Sequence, residues 1–128
     1  MPAATILYIE DDQQNRVLVR RVLEASGFTV IEAENGTVGL QLAQELLPDL
    51  ILLDINLPEI SGYEVTSRLK ELEALAHVPI VAMTANVMKG DREKTLAAGC
   101  DGYIEKPIDV DLLPDQINQF LSSKDGSG

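Results

Sequence analysis

Residues 50–54 read Leu-Ile-Leu-Leu-Asp, a continuous apolar run that ends on a carboxylate. Four consecutive apolar residues are typical of a central parallel strand, because helices cover both faces of such a strand. The run therefore predicts a strand over residues 50–53, with Asp54 at its carboxyl end. Open α/β sheets bind their ligands at that edge, so Asp54 is the first candidate functional residue.

Strand and helix patterns alternate on both sides of this central run. Short apolar segments predict four further strands, at residues 6–9, 28–33, 79–84 and 102–105. Apolar residues at helical spacing predict five helices, at residues 13–26, 36–47, 63–74, 88–98 and 111–122. Asp12 is interpreted as the cap of the first helix. The inward faces are expected to carry Leu18, Val22 and Ala25 in the first helix and Leu40, Ala43 and Leu47 in the second.

Five βα units in a chain of 128 residues predict a three-layer, doubly wound α/β domain with a parallel five-stranded sheet. Of the two common strand orders, 2-1-3-4-5 suits five strands. In that order the first and third strands are neighbours, which would bring Glu10, Asp11 and Asp54 into one crevice. We expect the domain to span residues 1–122. Residues 123–128 have linker composition and predict a flexible tail.

The composition is that of a soluble globular domain, with 45% hydrophobic and 24% charged residues. Apolar runs are too short for a membrane helix, and the N-terminal segment lacks the features of a secretion signal, so we expect a cytoplasmic protein. The net charge of -11 repels phosphate backbones and argues against direct binding of nucleic acid. Cys100 is the single cysteine, which excludes an internal disulfide and predicts a small buried residue.

Charged and hydroxyl residues also follow the other strands, and the acidic ones suggest a metal site. Glu10 and Asp11 follow the first strand, as Asp54 follows the third. Carboxylates held close together repel one another unless a cation neutralises them. Oxygen donors at an open edge favour Mg²⁺, and the absence of nearby His or Cys argues against zinc.

Beside a metal ion, Asp54 is a candidate nucleophile toward a phosphoryl group, since aspartyl phosphate is an established covalent species. Lys106 follows the fifth strand and brings a compact positive charge that suits both a carboxylate and a phosphoryl oxygen. The hydroxyl of Thr84, at the end of the fourth strand, could bond the transferred group. The set therefore predicts phosphoryl transfer, which mainly requires positioning and charge neutralisation.

The chain resembles the receiver domain of two-component response regulators, the CheY-like family, over most of its length. Four motifs carry the resemblance, in the right order and at the right strand ends: Ile6–Asp12, Leu53–Pro58 with Gly62, Met83–Ala85, and Gly102–Pro107.

The resemblance implies a role for each matching residue. Asp54 would accept a phosphoryl group from a sensor histidine kinase or a histidine phosphotransfer protein. Glu10, Asp11, Asp54 and the backbone carbonyl of Asn56 would hold Mg²⁺. Lys106 would pair with the phosphoryl group, Thr84 and Tyr103 would move together as a switch, and the Lys106–Pro107 bond would be cis.

The resemblance also implies how the signal leaves the domain. Phosphorylation would alter the surface formed by the fourth helix, fifth strand and fifth helix, and a downstream protein partner would bind there. We expect a monomer or weak dimer. We also expect that it is not a classical enzyme, because self-hydrolysis of the phosphorylated form is its only turnover.

Three alternatives remain open. The chain could be a receiver cut from a hybrid kinase or a longer regulator. It could be an unphosphorylated scaffold, although such a protein would normally lose one of the key residues. It could also be a flavodoxin-like carrier of FMN, but its first loop is acidic where a phosphate cradle needs backbone amides and hydroxyls.

Overall fold

The computed structural model describes residues 4–85 and 91–126, in which strands and helices alternate as the sequence predicts. The strands are β1 (Thr5–Ile9), β2 (Thr29–Ala33), β3 (Leu50–Asp54), β4 (Ile80–Thr84) and β5 (Gly102–Glu105). The helices are α1 (Gln13–Ala25), α2 (Gly36–Leu46), α3 (Gly62–Glu71), α4 (Asp91–Ala97) and α5 (Leu113–Gly126). A short 3₁₀ helix spans Glu73–Leu75.

The strands form one parallel sheet in the order β2-β1-β3-β4-β5, which confirms the predicted fold class and winding. Ile9 of β1 pairs with Leu53 of β3, so the residues that follow them lie side by side at the carboxyl ends of the two strands. This register places Glu10 next to Asp54, at the point where the winding direction reverses.

The sheet separates two apolar cores, because successive side chains of a strand point to opposite faces. One core lies against α1 and α5 and contains Tyr8, Leu52, Leu23 and Ile117. The other lies against α2 and α3 and includes Val65. All residues of β3 are buried, as expected of the central strand. Burial of each such leucine contributes about 2 kcal/mol to stability, so the sheet is a rigid base for the residues at its edge.

Side-chain caps fix where the helices begin. Asp12 caps α1 as predicted, and its carboxylate accepts hydrogen bonds from the backbone N–H groups of Gln14 (2.8 Å) and Asn15 (3.2 Å). Asn35 and Ser61 cap α2 and α3 in the same way. The first cap also shapes the loop between β1 and α1, in which the acidic residues lie.

The predicted inward face of α1 is confirmed at Val22, which packs against the core, but is wrong at Leu18 and Ala25. The buried residues of α1 are Val19 and Leu23, whereas Leu18 is 44% exposed and Ala25 is exposed. Both series satisfy helical spacing, so apolar periodicity alone cannot choose between them. Ion pairs with Glu32 of β2 favour the observed rotation, because they hold the arginines of α1 against the sheet edge.

The helix ends also differ from the prediction, by one residue in α1, α2 and α4 and by more in α3 and α5. α2 ends at Leu46, and Leu47 adopts a left-handed backbone (φ 47°) that leaves its side chain 54% exposed rather than inward. α3 ends at Glu71, before the 3₁₀ helix. α5 continues to Gly126, into the predicted tail. Residues 88–90, predicted to begin the fourth helix, and residues 127–128 lie outside the described residues.

Cys100 is buried, as predicted, and its sulfur lies 3.4 Å from the hydroxyl of Thr66. Burial raises the pKa of the Cys100 thiol above its ordinary value, with the Thr66 hydrogen bond acting in the opposite direction. The thiol therefore belongs to the core between the sheet and α3.

Candidate functional site

Three carboxylates meet at the carboxyl ends of β1 and β3. Glu10, Asp11 and Asp54 each place a carboxylate oxygen so that these atoms lie within 4.8 Å of one another. Glu10 (1% exposed) and Asp54 (3% exposed) are buried, whereas Asp11 is exposed. The predicted crevice is therefore present, with two carboxylates in its wall and one at its mouth.

Asp54 is held by a donor on each of its carboxylate oxygens. Oδ1 accepts a hydrogen bond from the backbone N–H of Asn56 (3.0 Å), and Oδ2 accepts one from Nζ of Lys106 (2.9 Å). The same ammonium lies 3.8 Å from Oε1 of Glu10. Among the described residues, Lys106 is the lysine that faces the acidic cluster, which retains an excess of negative charge when all three carboxylates are ionised.

Burial raises the pKa of Glu10 to about 7, and repulsion from Asp54 acts in the same direction. A hydrogen bond from the backbone N–H of Asp12 and the charge of Lys106 oppose this rise in pKa. The ionised form of Glu10 is thus disfavoured in the metal-free protein. A bound cation would reverse this balance by favouring the charged carboxylate.

Sequence reasoning missed the contribution of Tyr8. Its hydroxyl donates a hydrogen bond to Oε1 of Glu10 at 3.0 Å, inside the core between the sheet and α1. Burial, followed by the charge of Glu10, raises the pKa of Tyr8, so the phenol stays protonated and remains a donor. The signal was present in the sequence, because residues two apart on a strand share a face.

The other predicted site residues occupy different surroundings. Thr84 is buried at the end of β4, and its carbonyl accepts a hydrogen bond from the backbone N–H of Lys106 (2.8 Å). Tyr103 is half-buried and packs against the core beside α2 and α3. Asn56 is exposed, and the Lys106–Pro107 peptide bond is cis. The structure thus brings Glu10, Asp11, Asp54 and Lys106 together and places Thr84 beside the last of them.

The donor set of the crevice fits a hard divalent cation. All three clustered side chains offer carboxylate oxygens, which suit Mg²⁺, and two of them are buried with the negative charge only partly neutralised by Lys106.

Within the described parts of the chain, no helix is long and apolar enough to cross a membrane.

The model of the response regulator receiver domain family matches residues 6–118. The chain belongs to this family. This confirms the resemblance found in its sequence motifs.

This receiver domain is similar in sequence and in structure to other response regulator and receiver domain proteins. It is 46% identical over 117 residues to the polar-differentiation response regulator DivK of Brucella anthropi, a match that covers 91% of this chain and 95% of the relative. The receiver domain of the sensor histidine kinase PA1611 from Pseudomonas aeruginosa, whose structure has a magnesium ion coordinated in the active site cleft, is 32% identical. It superposes with a TM-score of 0.88, over 94% of this chain and 99% of that one.

A further solved structure, that of the chemotaxis response regulator CheY4 of Vibrio cholerae, shares the fold at 24% identity, with a TM-score of 0.88. That match covers 92% of this chain and 98% of CheY4.

Proposed function

We propose that this receiver domain accepts a phosphoryl group on Asp54, in a Mg²⁺-dependent reaction, from a histidine of a sensor kinase or histidine phosphotransfer protein. The observation that carries the proposal is the position of the Asp54 carboxylate, 2.9 Å from the Lys106 ammonium and clustered with Glu10 and Asp11. The ammonium that would pair with the phosphoryl group and the carboxylates that would hold the metal ion both lie next to the proposed nucleophile.

In the transfer step, a carboxylate oxygen of Asp54 forms a bond to phosphorus while the bond between phosphorus and the histidine nitrogen breaks. The electron pair of the broken bond returns to the imidazole. Lys106 pairs with the negative oxygens of the transferred group, and the hydroxyl of Thr84 bonds to one of them. These residues position the group and neutralise its charge, which is most of what such a transfer needs.

Glu10, Asp11, Asp54 and the backbone carbonyl of Asn56 would hold Mg²⁺. The ion supplies charge neutralisation to the phosphoryl oxygens and relieves the repulsion among the carboxylates. The coordinated magnesium of the Pseudomonas receiver domain supports this assignment by analogy.

Phosphorylation of Asp54 would then shift the population between two conformations, with Thr84 and Tyr103 as the switch. The surface formed by α4, β5 and α5 would carry the signal to a protein partner rather than to nucleic acid, whose phosphates the net charge of -11 repels. Hydrolysis of the aspartyl phosphate resets the domain, so it acts as a phosphoacceptor and not as a classical enzyme. A cytoplasmic location and a monomer or weak dimer belong to the same proposal.

Intact-protein mass spectrometry after incubation with acetyl phosphate tests the proposal. We expect one phosphoryl adduct that depends on Mg²⁺, is absent from Asp54→Asn, and persists in the control Asp49→Asn. The carboxylate of Asp49 accepts the backbone N–H of Thr5 at the opposite end of the sheet, so its loss leaves the crevice intact. Equal labelling of Asp54→Asn and the parent would contradict the proposal, and absence of any adduct would favour the scaffold alternative.

A further inference from the structure

The hydroxyl of Tyr8 is a polar group in a position that otherwise requires only apolar packing. Tyr8 is fully buried in β1, in the same core as Leu52 and Leu23. A hydroxyl buried without a partner destabilises a protein by about 1–3 kcal/mol, so its presence there needs a specific contact. That contact is the carboxylate of Glu10, 3.0 Å away. A leucine or isoleucine would fill much of this core but could not donate this hydrogen bond.

Glu10 is constrained at each of its oxygens. Oε1 accepts the Tyr8 hydroxyl, and Oε2 accepts the backbone N–H of Asp12 at 3.3 Å. The backbone of Glu10 is held as well, because its carbonyl accepts a hydrogen bond from Nη1 of Arg16 at 2.7 Å. A glutamate has one more rotatable bond than an aspartate, and these donors restrict that additional freedom. The carboxylate is therefore presented to the cluster in one orientation.

We propose that Tyr8 is a positioning residue, whose hydroxyl orients the Glu10 carboxylate for Mg²⁺ binding. This inference rests on the magnesium site of the proposed function. Tyr8 itself does not contact the ion, and it acts through Glu10. Removal of the hydrogen-bond partner of a metal ligand typically lowers metal affinity by 10–100-fold. Because the backbone N–H of Asp12 still holds Oε2 of Glu10, we expect loss of the Tyr8 hydroxyl to lower Mg²⁺ affinity by about tenfold, at the lower end of this range.

Isothermal titration of the full chain with Mg²⁺ measures this effect directly. Tyr8→Phe keeps the ring in the core and removes only the hydroxyl, and we expect its dissociation constant to rise about tenfold. Tyr63→Phe is the matched control, since Tyr63 lies in α3 and packs on the other side of the sheet. The control should bind Mg²⁺ with the affinity of the parent. Thermal unfolding in EDTA establishes that each variant is folded.

A second background distinguishes positioning from general packing. Glu10→Asp shortens the side chain by one methylene and withdraws the carboxylate from the Tyr8 hydroxyl. In this background, Tyr8→Phe should leave the Mg²⁺ affinity unchanged. An equal loss of affinity in both backgrounds would show that Tyr8 acts through packing and would overturn the inference.

The failures of the two proposals differ. A parent chain that does not bind Mg²⁺ overturns both the proposed function and this inference. Unchanged affinity of Tyr8→Phe beside a parent that binds Mg²⁺ overturns the inference alone.

A further measurement does not depend on the folding of Tyr8→Phe. The chain has three tyrosines, so the ¹³Cζ resonance of Tyr8 in labelled parent protein can be assigned by elimination with Tyr63→Phe and Tyr103→Phe. We expect this resonance to shift on addition of Mg²⁺, because the ion changes the charge on the oxygen that accepts the Tyr8 hydroxyl. A resonance that does not move under saturating Mg²⁺ would refute the role of Tyr8.

Discussion

Replacement of Glu10 by glutamine should stabilise the metal-free protein at alkaline pH. The pKa of Glu10 rises from 4.5 to about 7 in the folded chain, mainly because the carboxylate is buried. A tenfold change in proton affinity corresponds to about 1.4 kcal/mol, so the ionised side chain opposes folding by about 3 kcal/mol above pH 8. The glutamine amide loses one of the two hydrogen bonds made by Tyr8 and Asp12, which destabilises by about 1 kcal/mol. The expected net gain from Glu10→Gln is about 2 kcal/mol.

The sign of this effect depends on pH. Because the folded-state pKa is raised, the favourable contribution of Glu10 is complete below pH 4.5 and is lost as the pH rises through about 7. At pH 4 the carboxyl group is protonated in both states, so the advantage of Glu10→Gln should disappear. Mg²⁺ should reverse the order at pH 8, since it stabilises the parent by binding the folded state and would bind the variant less tightly.

Urea unfolding of both proteins in EDTA, from pH 4 to pH 8.5, measures these differences. Glu71→Gln, which neutralises an exposed glutamate at the end of α3, serves as the control and should show little change. Two results would refute the reasoning: a metal-free Glu10→Gln less stable than the parent at pH 8, or identical pH dependence in the two proteins.

Three further substitutions test other parts of the structure. Leu47→Gly should raise the free energy of unfolding by about 1 kcal/mol, because Leu47 has φ 47° and an exposed side chain; urea denaturation showing no gain would contradict this. Gly62→Ala would place a Cβ 2.6 Å from Cα of Ile55 and 2.7 Å from the carbonyl of Asp54. It should destabilise by about 2 kcal/mol and slow acetyl phosphate labelling, and parent-like values in both assays would be inconsistent with the close packing. Asp12→Ala should destabilise by about 1 kcal/mol through loss of the α1 cap while the phosphoryl adduct still forms, so a lost adduct would instead assign Asp12 to the site.

The fold and most of the crevice could be predicted because strand patterns determine which residues end at the same edge. Once β1 and β3 are neighbours, Glu10 and Asp54 must lie together, whatever the details of side-chain packing. The rotation of α1 could not be predicted in the same way. Its sequence contains two apolar series of helical spacing. The series that becomes buried is accompanied by an ion pair between Arg16 of α1 and Glu32 of β2, which apolar periodicity does not encode.

The electrostatics of the site required coordinates. The raised pKa of Glu10 depends first on how completely the protein covers its carboxylate, which is a property of the packed structure. Tyr8 was overlooked because a tyrosine within an apolar run is usually interpreted as core packing. The two-residue spacing predicts that Tyr8 and Glu10 share a face, but the structure is needed to show that the hydroxyl reaches the carboxylate.

The contact between Asp54 and Lys106 joins residues 52 positions apart, and the lysine arrives with the last strand of the sheet. A nascent or damaged chain in which β5 has not docked would present its acidic residues without their ammonium partner. The proposed phosphorylation of Asp54 would then require complete folding, because only molecules with β5 docked place Lys106 beside Asp54. During refolding, protease resistance of the C-terminal strand and reactivity toward acetyl phosphate should therefore appear together, and reactivity that came first would contradict this coupling.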